Sequence, residues 1–388
     1  MIGARAGRSG RRALCRAAVV AAAATLLGGC SIFDSMFGPD KPQPKELPAI
    51  VAPIAVRQAW TQNIGAVDFP LTIDVHGNVL TLAASDGSVL AVEADSGRVL
   101  WRTSVGAPIS AGVGSDGTTA SVVTRNGDLV ALDGGHVKWK KPLGVRVATA
   151  PLVAGARFFV LGVDRSVHAF DAGDGVKLWQ VQRPGDPLTL RQTGVITAFK
   201  DTLVVGQGPR MAGLDPGTGM LRWEATLGSP RGANEVERLA DLIGPVVRSG
   251  DLICARSFQA AVGCVDAQLG NVAWTKNVGG TDAINGDAEL LFGADASDRI
   301  NAWRTPTGDT AWTSESLMFR GLGPPGVVGQ SVVFGDSDGT LHWFSRDKGE
   351  AQARVSTDGS AISVPPVSVS GQLIVVTRKG GVFAFRPA

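Results

Sequence analysis

The sequence predicts an all-β chain: an eight-bladed β-propeller of four-stranded antiparallel blades, its ring closed by the N- and C-terminal strands. Three observations carry that expectation. Trp recurs at positions 60, 101, 139, 179, 223, 274 and 312, a period of about 42 residues. A Gly lies four residues before each Trp after the first, at 97, 135, 175, 219, 270 and 308, and Gly349 extends the series to Ala353. Gly supplies 51 of 388 residues while charged residues make up only 19%, a balance that suits many turns and short, buried strands. The Gly has no every-third-residue period, which excludes collagen, and 44% hydrophobic residues exclude general disorder.

Each repeat has the same internal order. An alternating apolar run such as Val79–Leu82 is followed by a tight turn, often Asp-Gly or Asn-Gly, as at Asp86-Gly87, Asn126-Gly127 and Asp338-Gly339. A second run ends in an acid (Glu93, Asp133, Asp171, Asp215, Asp266), and a turn around the repeated Gly leads into the Trp strand. That Gly suits a tight turn requiring positive φ, and Trp supplies bulk to wedge between neighbouring blades. No stretch has a helical period long enough for a helix. The first unit contributes only the Trp60 strand. Runs at 363–369, 373–377 and 382–385 supply three more strands, so both chain ends complete one blade; seven blades is the alternative if the Ala353 unit is degenerate.

The N-terminus has a different character. Arg5, Arg8, Arg11, Arg12 and Arg16 precede an apolar run from Ala17 to Leu27, which is too short to span a membrane and has the order of a secretory signal. Leu27-Gly28-Gly29-Cys30 resembles the lipobox of bacterial lipoproteins, which implies acylation of Cys30 and removal of residues 1–29. Ser31 in place of Asp then implies sorting to the outer membrane. Residues 30–56 contain Pro39, Pro42, Pro44, Pro48 and Pro53 and read as a lipidated tether, leaving 57–388 as the propeller domain. Losing five Arg from the 37 Lys+Arg, against 35 Asp+Glu, turns the formal charge of +2 into about −3, which gives no electrostatic support for nucleic-acid binding.

Little in the sequence points to catalysis. The four His lie in separate repeats without metal-ligand spacing, so neither a metal nor a catalytic residue is expected. His168 and His342 share one repeat position and are expected on strand surfaces. Two Gly-x-Gly-x-x-Gly strings, at 112–117 and 321–326, open no helix; the second contains two prolines and the first a carboxylate where phosphate would sit. Cys254 and Cys264 flank a turn at Gln259, where two readings are open: a cross-strand disulfide in an oxidising compartment, or two buried thiols.

The repeat resembles the pyrroloquinoline-quinone-type propeller repeat, which includes quinone-dependent periplasmic dehydrogenases. Those enzymes typically have an adjacent Cys pair, and this chain has none. A closer resemblance, covering essentially the whole chain, is to the lipoprotein scaffold family of the outer-membrane β-barrel assembly (Bam) machinery. It rests on the lipobox, the eight units and the strings Pro187–Arg191, Glu235–Asp241 and Phe334–Trp343. Propeller physics requires neither of the first two strings. Both lie in the longest Trp-to-Trp intervals, 179–223 and 223–274, where inserted loops (183–193 and 229–241) would carry binding residues.

The resemblance implies that Leu188, Leu190, Arg191, Glu237, Arg238 and Asp241 contact the POTRA domains of BamA, the central subunit, on the periplasmic face of the outer membrane. It further implies a non-catalytic scaffold without a cofactor other than the lipid on Cys30, assisting insertion of outer-membrane proteins and extending to contact with their unfolded chains. Where the family has a second acid two residues after Asp241, this chain has Ile243. Two structural alternatives stand beside the interface: the two Leu fill a blade groove, or Arg191 pairs with Asp241 to brace the loops. The rival functions are a quinone-dependent dehydrogenase and a propeller for another envelope ligand.

Overall fold

The computed structural model describes Met1 and residues 42–183, 189–230 and 232–387. The chain divides into two units, Met1–Gln43 and Pro44–Ala388, and the account below concerns the second. Cys30 and Leu188 lie outside the described residues.

Eight four-stranded antiparallel sheets form the ring, as expected. In chain order, blades 1 to 7 occupy residues 74–104, 109–142, 152–182, 196–226, 242–276, 285–314 and 326–356. Blade 8 combines Val367–Val369, Gln372–Val376 and Gly381–Pro387 with Val56–Asn63, the strand of Trp60, on its outer edge. Its register runs from Val56 opposite Pro387 to Asn63 opposite Gly381, so the two ends of the chain clasp the ring. The second and third strands are buried almost throughout, whereas the outer strands alternate exposed and half-buried positions. That pattern places the core between blades and leaves the rim in water.

The Trp–Gly pairing has a spatial cause beyond the turn. Gly97 has φ +70°, and a Cβ there would lie 2.6 Å from the Trp60 ring of the preceding blade. Gly270 is alike, with φ +71° and Trp223 at 2.5 Å. Only a residue without Cβ lets the turn lie flat on the neighbour's indole. The indole N–H of Trp60, Trp139, Trp179, Trp274 and Trp312 then donates to a carbonyl of that next blade at 2.7–3.2 Å. Across its own blade each Trp faces a small residue, such as Ala91 opposite Trp101 or Gly213 opposite Trp223, next to a register shift. The acid that closes the third strand holds the turn: the Asp266 carboxylate accepts from the N–H groups of Gln268 and Leu269.

Blade 7 keeps the volume and inverts the pair. Ala353 stands on the outer strand and Trp343, fully buried, faces it from the third strand. Blade 8 joins its third and outer strands from opposite chain ends, so it has no turn with a Gly onto which an outer-strand Trp of blade 7 could pack. The N-terminal segment runs there instead. Val51 and Ala52 donate to the Ala351 carbonyl, Ile54 donates to Gln352, and Arg354 reaches the Pro48 carbonyl. Ile54 and Val56 pack with Trp343 and Phe385. Residues 45–54 of the proline-rich segment therefore bond to blade 7 or to residues just before it.

Two buried details complete the frame. Cys254 and Cys264 sit directly opposite each other and are joined as a disulfide, Cα to Cα 4.0 Å, within blade 5. His168 and His342 are buried rather than on strand surfaces. Nε2 of His342 is 2.9 Å from the Asp336 carboxylate, and Nε2 of His168 is 2.8 Å from the Ser166 hydroxyl, which donates to Asp164. Each network ties a third strand to the turn before it. The surface expectation missed them because a polar residue on a run's inner side needs a partner that alternation does not reveal.

Candidate docking surface

One face of the ring carries the connectors between blades and the turns between second and third strands; both long loops emerge on this connector face. The first, over residues 189–194, crosses the mouth of the axis and is bonded from three blades or their connectors. The Leu190 N–H donates to Asp241 Oδ2 at 3.0 Å, and the Gly194 N–H to the Thr149 hydroxyl at 2.8 Å. Gln192 Nε2 donates to the Thr281 carbonyl at 3.1 Å, and Gly244 N–H donates to the Thr193 carbonyl at 2.8 Å. The Leu190 and Gly194 N–H groups and the Thr193 carbonyl are thus bonded to neighbouring parts of the ring, which holds the loop although it has no ladder of its own.

Asp241 is the hinge pin of this arrangement. Its other oxygen, Oδ1, lies 3.3 Å from Nη2 of Arg165, both side chains being largely buried at 16% and 12% exposure. The brace is thus Asp241 with Arg165, from a turn of blade 3, and not Asp241 with Arg191. Arg191 is exposed and has no ion-pair partner among the described residues, while Leu190 is half-buried. Leu190 lines a cavity of about 50 Å³ together with Leu161, Val163 and Ile243, and also a wider groove beside it.

The second loop is organised mainly by itself until Ala240, whose carbonyl accepts from the Ser257 hydroxyl of blade 5 at 2.6 Å. The Glu237 N–H donates to Asn234 Oδ1 at 2.9 Å, and the Glu237 carboxylate accepts from the Ala233 N–H at 2.7 Å, an arrangement like a capping box. Glu237 is therefore occupied in its own turn. Arg238 is exposed, and Val236 stands out at 67% exposure. Ile243, where the family resemblance calls for an acid, is 4% exposed on the first strand of blade 5, bridged to Gly194. Its side chain lies inside the fold.

Beneath the loops lies Arg256, fully buried, donating to the carbonyls of Val278 and Ala294 at 3.4 and 2.9 Å. Burial pushes its pKa down to about 10. It pins the connector holding Thr281, the acceptor for Gln192. Asp282 on that connector is held above the usual carboxylate range by burial, while the Thr281 hydroxyl donates to it at 2.7 Å. Sequence reasoning singled out Leu190, Arg191 and Asp241, which the fold brings together here, but did not mark Arg165, Thr149, Thr281 or Arg256 around them. None carries a local motif; only the ring brings these turns together.

The family model described as "Outer membrane protein assembly factor BamB" matches residues 85–314. A relative of that name from Bordetella pertussis is 34% identical over 377 residues, covering 96% of this chain and 97% of its own. This chain belongs to the BamB family. The Escherichia coli BamB is 26% identical over 378 residues, covering 93% of this chain and 96% of its own. Among solved structures, BamB from Moraxella catarrhalis superposes with a TM-score of 0.77 at 23% identity, covering 86% of this chain and all of that one. A quinohemoprotein alcohol dehydrogenase from Comamonas testosteroni reaches 0.64 at 16% identity, covering 85% and 76%, a likeness of fold alone.

Proposed function

We propose that this BamB-family chain is an outer-membrane protein assembly factor acting as a non-catalytic scaffold. It docks on BamA POTRA domains within the Bam complex and assists insertion of outer-membrane β-barrels. The observation that carries the docking site is the 189–194 loop, fixed by Asp241, Thr149 and Thr281 so that Arg191 faces solvent beside half-buried Leu190. A loop already in its bound shape loses little entropy on association, and Arg is among the residues enriched at binding hot spots. Leu188 adjoins this patch in sequence, and Arg238 supplies a second, peripheral contact from the neighbouring loop. Cys30 carries the lipid that holds the chain to the periplasmic face of the outer membrane.

The tether is then shorter than 30–56, because residues 45–54 are bonded to the ring. A chain of about 15 residues reaches at most about 50 Å when fully extended. Quinone-dependent oxidation remains the rival activity; the dehydrogenase likeness is limited to the fold, whereas the relatives matching nearly the full chain are named assembly factors. Affinity purification of the lipidated protein from native membranes tests the proposal. Recovery of BamA and its companions is expected, and their absence would sink it.

A further inference from the structure

Beside the 189–191 segment, a groove of about 420 Å³ opens between blades 2 and 3 on the connector face. Val147, Val163 and Leu190 are among its lining residues, and Arg125, Arg146 and Arg191 stand around it, with no acidic residue in the lining among the described residues. The neighbouring axial mouth, of about 320 Å³, differs: Asp68 and Asp282 line it together with Arg191 and Arg378. Arg146 and Arg191 are exposed without an ion-pair partner among the described residues. Arg125 makes one exposed pair with Asp68 at 3.3 Å, with side-chain exposures of 45% and 62%. Such a pair exchanges readily for a better carboxylate. With 37 basic and 35 acidic residues in the chain, three guanidiniums around one groove, only one of them paired with a carboxylate, form a local positive excess.

We propose that this groove is the second half of the docking surface and that Arg125 and Arg146 recognise an extended acidic segment of BamA. One apolar side chain of that segment sits against Val163 and Leu190, with carboxylates on either side taken by the guanidiniums. Planar, forked guanidiniums pair with carboxylates in two parallel hydrogen bonds, which gives direction as well as charge. The inference rests on the docking function proposed above and adds residues from blades 2 and 3 to it. Exposed basic groups of this kind steer association and make it salt-dependent, so their signature differs from that of the Leu190–Arg191 anchor.

The test titrates the full lipidated chain in detergent against the periplasmic part of BamA from the same organism, at low and high salt. Arg125→Glu/Arg146→Glu is expected to bind at least about tenfold more weakly, with a flatter salt dependence and slower association, at unchanged melting temperature. Leu190→Ala/Arg191→Ala is run in parallel. Binding lost in that variant but kept, with wild-type salt dependence, in the double reversal overturns the groove assignment and leaves the docking function standing. No binding by the wild type removes both. Unchanged BamA affinity combined with loss of co-purified anionic lipid from the double reversal assigns the groove to lipid headgroups and also overturns it.

Discussion

The two long loops of the connector face are built on opposite plans. Residues 189–194 have almost no structure of their own and take their shape from Asp241, Thr149, Thr281 and Gly244 around them. Residues 232–240 form a small capped turn that leans on no other blade through its exposed side chains. The first loop is rigid because the ring is rigid; the second is only as stable as one turn. Position on a scaffold therefore matters more than loop length for presenting a binding group.

Breaking the brace should produce the largest effect. Asp241→Ala frees the Leu190 N–H and leaves the largely buried guanidinium of Arg165 without its carboxylate, so it should destabilise the fold by about 2 kcal/mol in chemical denaturation. BamA affinity should fall by about tenfold or more even though Leu190 and Arg191 are untouched. If affinity survives while stability falls, preorganisation of the loop is not what binding uses. Leu190→Ala/Arg191→Ala should do the reverse, removing most of the affinity while shifting the melting temperature little.

A site on the axis sharpens the contrast by changing stability alone. Asp74, on the first strand of blade 1, has an unpartnered buried oxygen, and burial raises its pKa to about 6. The folded state thus holds a proton that the unfolded state releases at its ordinary pKa of 3.8. Its ionisation costs stability progressively as pH rises from about 4 through 6, and the cost is full above that. Asp74→Asn should then stabilise the protein at pH 7.5 by on the order of 2 kcal/mol, with the gain vanishing near pH 4 and BamA affinity unchanged. Equal stabilisation at both pH values would contradict the assignment.

The smallest effect belongs to the self-made loop. Asn234→Ala removes a cap and should cost about 1 kcal/mol or less, confined to residues 232–240, with affinity reduced at most a few-fold. A loss as large as that of Asp241→Ala would make the two loops equals.

The fold was legible because propeller blades repeat: the Trp period, the Gly four before it and the closing acid each restate one local requirement. Blade 7 shows the limit. Ala353 looked like decay of the repeat, yet the bulk had moved across the strand pair to Trp343, because the turn that normally receives an indole is absent where the chain ends meet. In the proposed docking surface, Leu190, Arg191 and Asp241 were marked through family resemblance. The brace between Asp241 and Arg165 was not, since 76 residues and two blades separate them and no local pattern marks either. Ile243 was legible as a departure, and the fold places it buried and bridged to Gly194.

Hydrogen exchange on the full lipidated chain, free and bound to BamA, tests the central claim most directly. The account predicts that the Leu190 and Gly194 amides exchange slowly already in the free protein, that residues 232–240 exchange fast, and that binding adds protection at 189–191. Leu190 exchanging in the free protein as fast as residues 232–240, or no added protection on binding, would contradict a preorganised docking loop.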